Sequence, residues 1–113
     1  MSVRYGPNTT EIEALIEKFK TITPEQAEKL YLARYATKDV FRDLAMYEAV
    51  DATCYEHWIA ARDAAMEAIP DDASDAWDAI WDATLALVVR GRISKGRFDL
   101  LYGPWRSVME AEE

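Results

Sequence analysis

Residues 73–92, ASDAWDAIWDATLALVVRGR, constrain the fold of this chain more than any other stretch. Set on a helix at about 100° per residue, Trp77, Ile80, Trp81, Thr84, Leu87 and Val88 share one face. Asp75, Asp78 and Asp82 share the opposite face. Two tryptophans one turn apart each remove on the order of 150–250 Å² from water when covered. A helix with so strong an apolar side must pack against other elements, and the rest of the chain is expected to supply them.

Those partners also read as helices. The four Gly and four Pro fall almost entirely near proposed helix ends, leaving runs rich in Ala, Leu, Glu and Arg. Thr10 and Glu13 have capping-box spacing, so a first helix is expected from near Glu11. Its apolar residues Ile12, Leu15, Ile16, Phe19 and Ile22 form a single stripe. Thr23-Pro24-Glu25-Gln26 signals a second start, with Thr as cap and Pro at the first helical position. This second helix is expected to turn Ala27, Leu30, Tyr31, Arg34 and Tyr35 inward. Whether it ends near Thr37 or runs on is open at this level.

Residues 38–69 contain no Gly or Pro and predict one long third helix. Val40, Leu44, Tyr47, Tyr55, Trp58, Ala65 and Ile69 lie on one face, with alanines on its flanks where neighbours could approach closely. Pro70 ends it, Asp72 or Ser74 can cap the fourth helix, and Gly91 marks that helix's end. Ser94 can cap a short fifth helix bearing Phe98, Leu101 and Tyr102, which is expected to stop at Gly103-Pro104. Trp105, Val108 and Met109 then form a last apolar cluster on a short tail helix. No segment alternates at period two, so no sheet is expected. The expected architecture is all-α: residues 1–9 an irregular arm, residues 10–113 a single helical domain. Short loops favour an antiparallel bundle of four to five helices around the long central helix.

At 113 residues the chain can bury one core without staples, and its 50% hydrophobic content argues against disorder. The polar start MSVRYGPN predicts no signal peptide, and no stretch approaches a membrane span, so a cytoplasmic protein is expected. A single Cys54 excludes an internal disulfide and a cysteine-based zinc site within one chain. Net charge is −8, unevenly spread. Residues 39–82 hold twelve acids against Arg42 and Arg62, a net of −10. Residues 90–106 hold Arg90, Arg92, Lys95, Arg97 and Arg106 against Asp99, a net of +4. The acidic total disfavours nucleic acid and anionic lipid as partners. The basic segment is expected to fold back on the acidic helices, or else to form a small anion- or partner-binding patch.

Asp51 and Arg62 stand out because the long-helix reading puts both on its apolar face. They lie about 16 Å apart along the axis, too far to pair, so each needs a partner from another helix or water. Arg34 is the expected partner of Asp51 or Glu48. The two charges are then either an internal ion-pair network or a polar pocket, with Tyr55 and Trp58 as stacking contacts. His57 is the sole histidine; with Cys54 it makes an incomplete metal set. The acids at 71, 75, 78 and 82 read as a solvated stripe. There is no Gly-rich phosphate loop, HExxH or GxSxG motif, so neither catalysis nor a metal or cofactor is expected. Tyr47, Tyr55, Trp58, Trp77, Trp81, Tyr102 and Trp105 read as core, or as a cavity or interface lining.

The tetrads Ala76-Trp77-Asp78-Ala79 and Ile80-Trp81-Asp82-Ala83, the run Leu85-Ala86-Leu87-Val88-Val89-Arg90, and Phe98-Asp99-Leu100-Leu101-Tyr102-Gly103-Pro104-Trp105 together resemble small Ala/Trp/Asp-rich proteins of unassigned function from actinobacteria and their phages. The resemblance covers about residues 73–108 and transfers no site residues. It implies an intracellular, phage-type accessory protein. The expected function is therefore a non-catalytic protein–protein interaction module, an inhibitor or adaptor of a bacterial host protein. Asp51, Arg62, Tyr55, Trp58, Trp77, Trp81 and Trp105 are its candidate binding residues. The alternatives are a bundle that binds a small molecule and a self-associating structural oligomer.

Overall fold

The computed structural model describes residues 4–36 and 40–110, without the side chains of 40–42. Six α-helices follow one another: α1 Thr9–Phe19, α2 Pro24–Ala36, α3 Val40–Ala52, α4 Tyr55–Ala68, α5 Trp77–Val88 and α6 Lys95–Trp105. A 3-10 turn, Asp71–Ala76, leads into α5, and a π turn, Arg106–Glu110, follows α6. Among the described residues there are no strands, only one isolated bridge between Arg90 and Ile93. No helix there is long and apolar enough to cross a membrane. Residues 37–39, where the junction of the second and third helices falls, lie outside the described residues.

Two helix starts follow their local signals. Thr23 Oγ1 accepts from the Gln26 N–H at 3.1 Å, while Gln26 Oε1 accepts from the Thr23 N–H at 3.0 Å, a complete capping box. Ser94 Oγ accepts from the Arg97 N–H at 3.2 Å to start α6. The expected Thr10–Glu13 box does not set the start of α1. The helix begins two residues earlier, at Thr9, with Asn8 at its N-cap making no side-chain capping bond. Asn8 instead donates to the carbonyls of Leu87, at 2.9 Å, and Arg90, at 3.2 Å. It thereby ties the start of α1 to the chain just at and after the end of α5. Neither Asp72 nor Ser74 caps α5 directly, because the 3-10 turn intervenes.

Residues 4–8 fold onto the helices, with Tyr5 buried in the core. Thr9 Oγ1 accepts from the Tyr5 N–H and donates to the Gly6 carbonyl at 2.6 Å, closing this turn. Gly6 has φ +91°, and a Cβ there would stand 2.9 Å from His57 Nδ1. Only glycine lets the turn lie so close to α4.

The long third helix is corrected to two. It breaks at Thr53-Cys54, where Cys54 is extended, with φ −82° and ψ 121°. The free carbonyl of Ala52, at the end of α3, is met by Arg92 Nη1 at 3.2 Å. The break also gives the two halves different neighbours: α3 packs on α5 and α6, and α4 on α1 and α5.

The two-sided reading of α5 is corrected as well. This helix touches each of the other five, and Ala79, Ile80, Ala83, Leu85 and Ala86 are all buried. The face expected to be solvated carries Ala79 and Ala86, small enough for neighbours to close over it. Asp82, on that face, is 1% exposed, whereas Trp77, on the expected core face, is 51% exposed at the helix's first residue. Asp75 and Asp78 are exposed.

Gly103-Pro104 does not stop the last helix either. Helix α6 runs through the buried Pro104 to Trp105, and the chain then widens into the π turn. Such widening accommodates the bond that proline removes. It leaves Trp105 fully buried, edge-on to Phe19 of α1 with ring centres 5.0 Å apart.

Candidate functional site

The break between α3 and α4 changes the surroundings of the candidate residues. Asp51 is exposed on the outer side of α3, not on an apolar inner face. Arg62, on α4, pairs with its exposed neighbour Asp63 at 3.0 Å and lies 5.9 Å from the centre of the Trp81 ring. Neither is a buried charge, so the expected internal network through Asp51 and Arg62 does not form. Arg34 meets neither Asp51 nor Glu48. It reaches Asp82 at 3.1 Å, and that pair is the buried charge of the molecule's described interior. Glu48 pairs instead with Arg97 of α6.

The candidate aromatics separate in the same way. Trp58 is buried edge-on to Trp81, with ring centres 5.1 Å apart. With Arg62 above Trp81, these three form one cluster between α4 and α5. Trp105 lies in the core, and its Nε1 finds no hydrogen-bond partner among the described residues. Tyr55, 74% exposed, and Trp77 stand at the surface. The structure thus gathers Trp58, Trp81 and Arg62, and scatters the rest.

What the sequence-level reading missed is an inverted helix. On α3 the residues turned inward are Ala45 and Ala49, both fully buried. The bulky apolar residues Leu44, Tyr47 and Val50 point outward, Tyr47 being 71% exposed. Small residues at 45, 49 and 52 were the available signal, since they line one side and let α3 sit close to its neighbours. Exposed Asp43 and Asp51 flank the outward apolar residues. Helix α2 repeats the pattern: Ala27 and Leu30 are buried, whereas Tyr31, Leu32 and Tyr35 are exposed. Tyr31 and Tyr35, expected inward, stack on each other in solvent, ring centres 6.4 Å apart. From the end of α2 to the start of α3 the chain can span at most about 14 Å.

Part of the basic C-terminal segment does fold back on α3, through Arg97 to Glu48 and Arg92 to the Ala52 carbonyl. Arg106 stays within its own segment, with Asp99 at 3.2 Å and Glu110 at 3.7 Å. Tyr102 donates to Glu110 Oε1 at 3.1 Å. Burial, and then the adjacent Glu110 carboxylate, push its hydroxyl up to about 12. Among the described residues no group of three or more His, Cys, Asp or Glu is placed to hold a metal ion. A hollow of about 780 Å³ lies between α1 and α4, bordered by Tyr5, Glu13, Glu17, Lys20 and Glu67. It touches none of Asp51, Arg62, Tyr55 or Trp58. No protein family, curated protein or solved structure matches this chain.

Proposed function

We propose that this chain is a small non-catalytic protein–protein interaction module, a phage-type adaptor or inhibitor that works inside a bacterial cell. In this reading its helices form an antiparallel bundle around α5, and it docks on a host protein through the outer face of α3. The observation that carries the reading is the inversion of α3, with alanines inward and Leu44, Tyr47 and Val50 outward. Covering such side chains yields about 1.5–3 kcal/mol each, which a free helix face forgoes. Tyrosine suits this use, since it brings large area at low conformational cost and keeps a polar tip.

Charge helps to select the partner. Asp51 is exposed beside the apolar residues, so a matching surface carries Lys or Arg next to an apolar centre. A second copy fits badly in parallel pairing, where Asp51 faces Asp51. This weighs against the structural-oligomer alternative. The small-molecule alternative is weakened because Asp51 and Arg62 line no shared interior.

The test is capture from actinobacterial lysate with tagged chain, followed by affinity measurement with the purified captured protein. Tyr47→Ala should weaken binding at least about tenfold while leaving the melting temperature unchanged. Added salt should weaken it further. Equal binding by the variant would remove α3 from the interface. Concentration-dependent dimerisation in light scattering, lost in Tyr47→Ala, would replace the host partner with a second copy.

A further inference from the structure

Where α5 turns into α6, the surface is basic although the chain as a whole is acidic. A hollow of about 360 Å³ is bordered there by Arg90, Ile93, Lys95, Phe98, Asp99 and Arg106. Its volume lies at the lower end of what small-molecule sites use. Phe98 is the floor: the Arg90 guanidinium lies 5.2 Å from its ring centre and that of Arg106 6.0 Å. Arg106 is also 5.2 Å from the ring of Tyr102, which stacks on Phe98. A guanidinium over a ring is held in place and can still turn its N–H edge to an anion, as Arg90 can here, whereas Arg106 is already engaged by Asp99 and Glu110.

The charges around the hollow differ in how far they are already matched. Arg106 is held by Asp99 at 3.2 Å, which accounts for the one acid on the rim. Among the described residues Arg90 and Lys95 meet no carboxylate. Two positive charges are left over at one small apolar-floored site. Two unmatched cations call for a dianion, and a phosphomonoester carries about −1.5 to −2 at neutral pH. A carboxylate would match only one of them. A second hollow, of about 410 Å³, shares Arg90, Phe98 and Arg106 and continues past them, with Glu11 and Glu110 on its border. Lys18 also borders that second hollow, so its two acids are offset there; the first hollow has one acid, Asp99, already held by Arg106, and its apolar floor leaves room for an organic body.

We propose that the hollow at the α5–α6 turn binds a soluble phosphomonoester, its phosphate on Arg90 and Lys95 and its organic body on Phe98 and Ile93. A net charge of −8 opposes a long polyanion or an anionic membrane, but one small dianion need only approach this corner. No residue of α3 lines this hollow.

Titration of the intact chain with phenyl phosphate, followed by amide NMR, tests the assignment. Shifts should concentrate at residues 90–98. Arg90→Gln should weaken binding at least about tenfold, since a charge-assisted bond is lost. Lys95→Gln, at an exposed position, should weaken it in the same direction without affecting folding. Inorganic phosphate should bind more weakly than phenyl phosphate, and phenylsulfonate, a monoanion, more weakly than both. No shift at residues 90–98, equal binding by Arg90→Gln, or equal binding of phenylsulfonate would each overturn the proposal. So would capture on phosphatidic acid vesicles without binding of phenyl phosphate, which would move the ligand from a soluble molecule to a membrane.

Discussion

At the scale of single residues, Asp82 is where the fold has most to lose. Its carboxylate is 1% exposed and bonded to Arg34 at 3.1 Å, itself largely covered. Removing one member of such a pair leaves the other charge without its main partner in a low-dielectric setting. Asp82→Ala should therefore cost about 3–5 kcal/mol in urea denaturation. Asp78→Ala, at an exposed position one turn earlier, should stay within about 0.5 kcal/mol. Replacing the pair together, Arg34→Met with Asp82→Leu, should recover most of the loss, because an apolar pair of similar volume avoids the desolvation cost. A large loss in the double variant would instead mean that the two residues hold separate networks. The sequence could not single out Asp82 from Asp75 and Asp78: all three have the spacing of one solvated stripe. What separates them is Arg34, 48 residues earlier, and helical periodicity says nothing about a partner that far away. The same limit misplaced Asp51 and Arg62, whose inward assignment followed wholly from treating residues 38–69 as one helix.

At the scale of elements, local chemistry accounts for two of the helix starts and for none of the breaks. The capping box at Thr23 and the cap at Ser94 are complete within four residues, so both were legible. The break at Thr53-Cys54 has no glycine or proline to announce it; the Ala52 carbonyl it frees is met by Arg92, 40 residues on in the sequence. The π turn after α6 is a tertiary device. It brings Glu110 back onto Tyr102, whose hydroxyl is pushed up to about 12 by burial first and by that carboxylate second. The folded state therefore favours the neutral phenol. In the unfolded chain the group titrates near 10. The stability this supplies is present below about pH 10 and is lost as pH rises from there toward 12. A tyrosinate absorbance titration should show a last step near the upper value, absent in Tyr102→Phe. Tyr102→Phe should also flatten the fall in stability over that alkaline window. A titration in which the variant keeps the last step would assign it to another tyrosine.

At the scale of the whole molecule, the helical class followed from composition and spacing, but the centre of the fold did not. A pattern of one apolar face implies one covered side, whereas α5 is covered on nearly every side because its alanines admit neighbours over the acidic face as well. This topology has a thermodynamic consequence. Every other helix touches α5, so none can leave without uncovering part of it, and the loss of α5 removes a packing surface from all five. Unfolding should then be a single cooperative transition. The tryptophans make it observable, because Trp58 and Trp81 report the α4–α5 contact and Trp105 reports the docking of α6 on α1. Fluorescence should follow these contacts while far-ultraviolet circular dichroism follows the helices. The two urea curves should coincide in midpoint and slope, as a two-state domain requires. An earlier fluorescence midpoint would mean that α6 or α4 detaches while helix remains. In that case α5 would be a neighbour of the other helices without being the element that couples them.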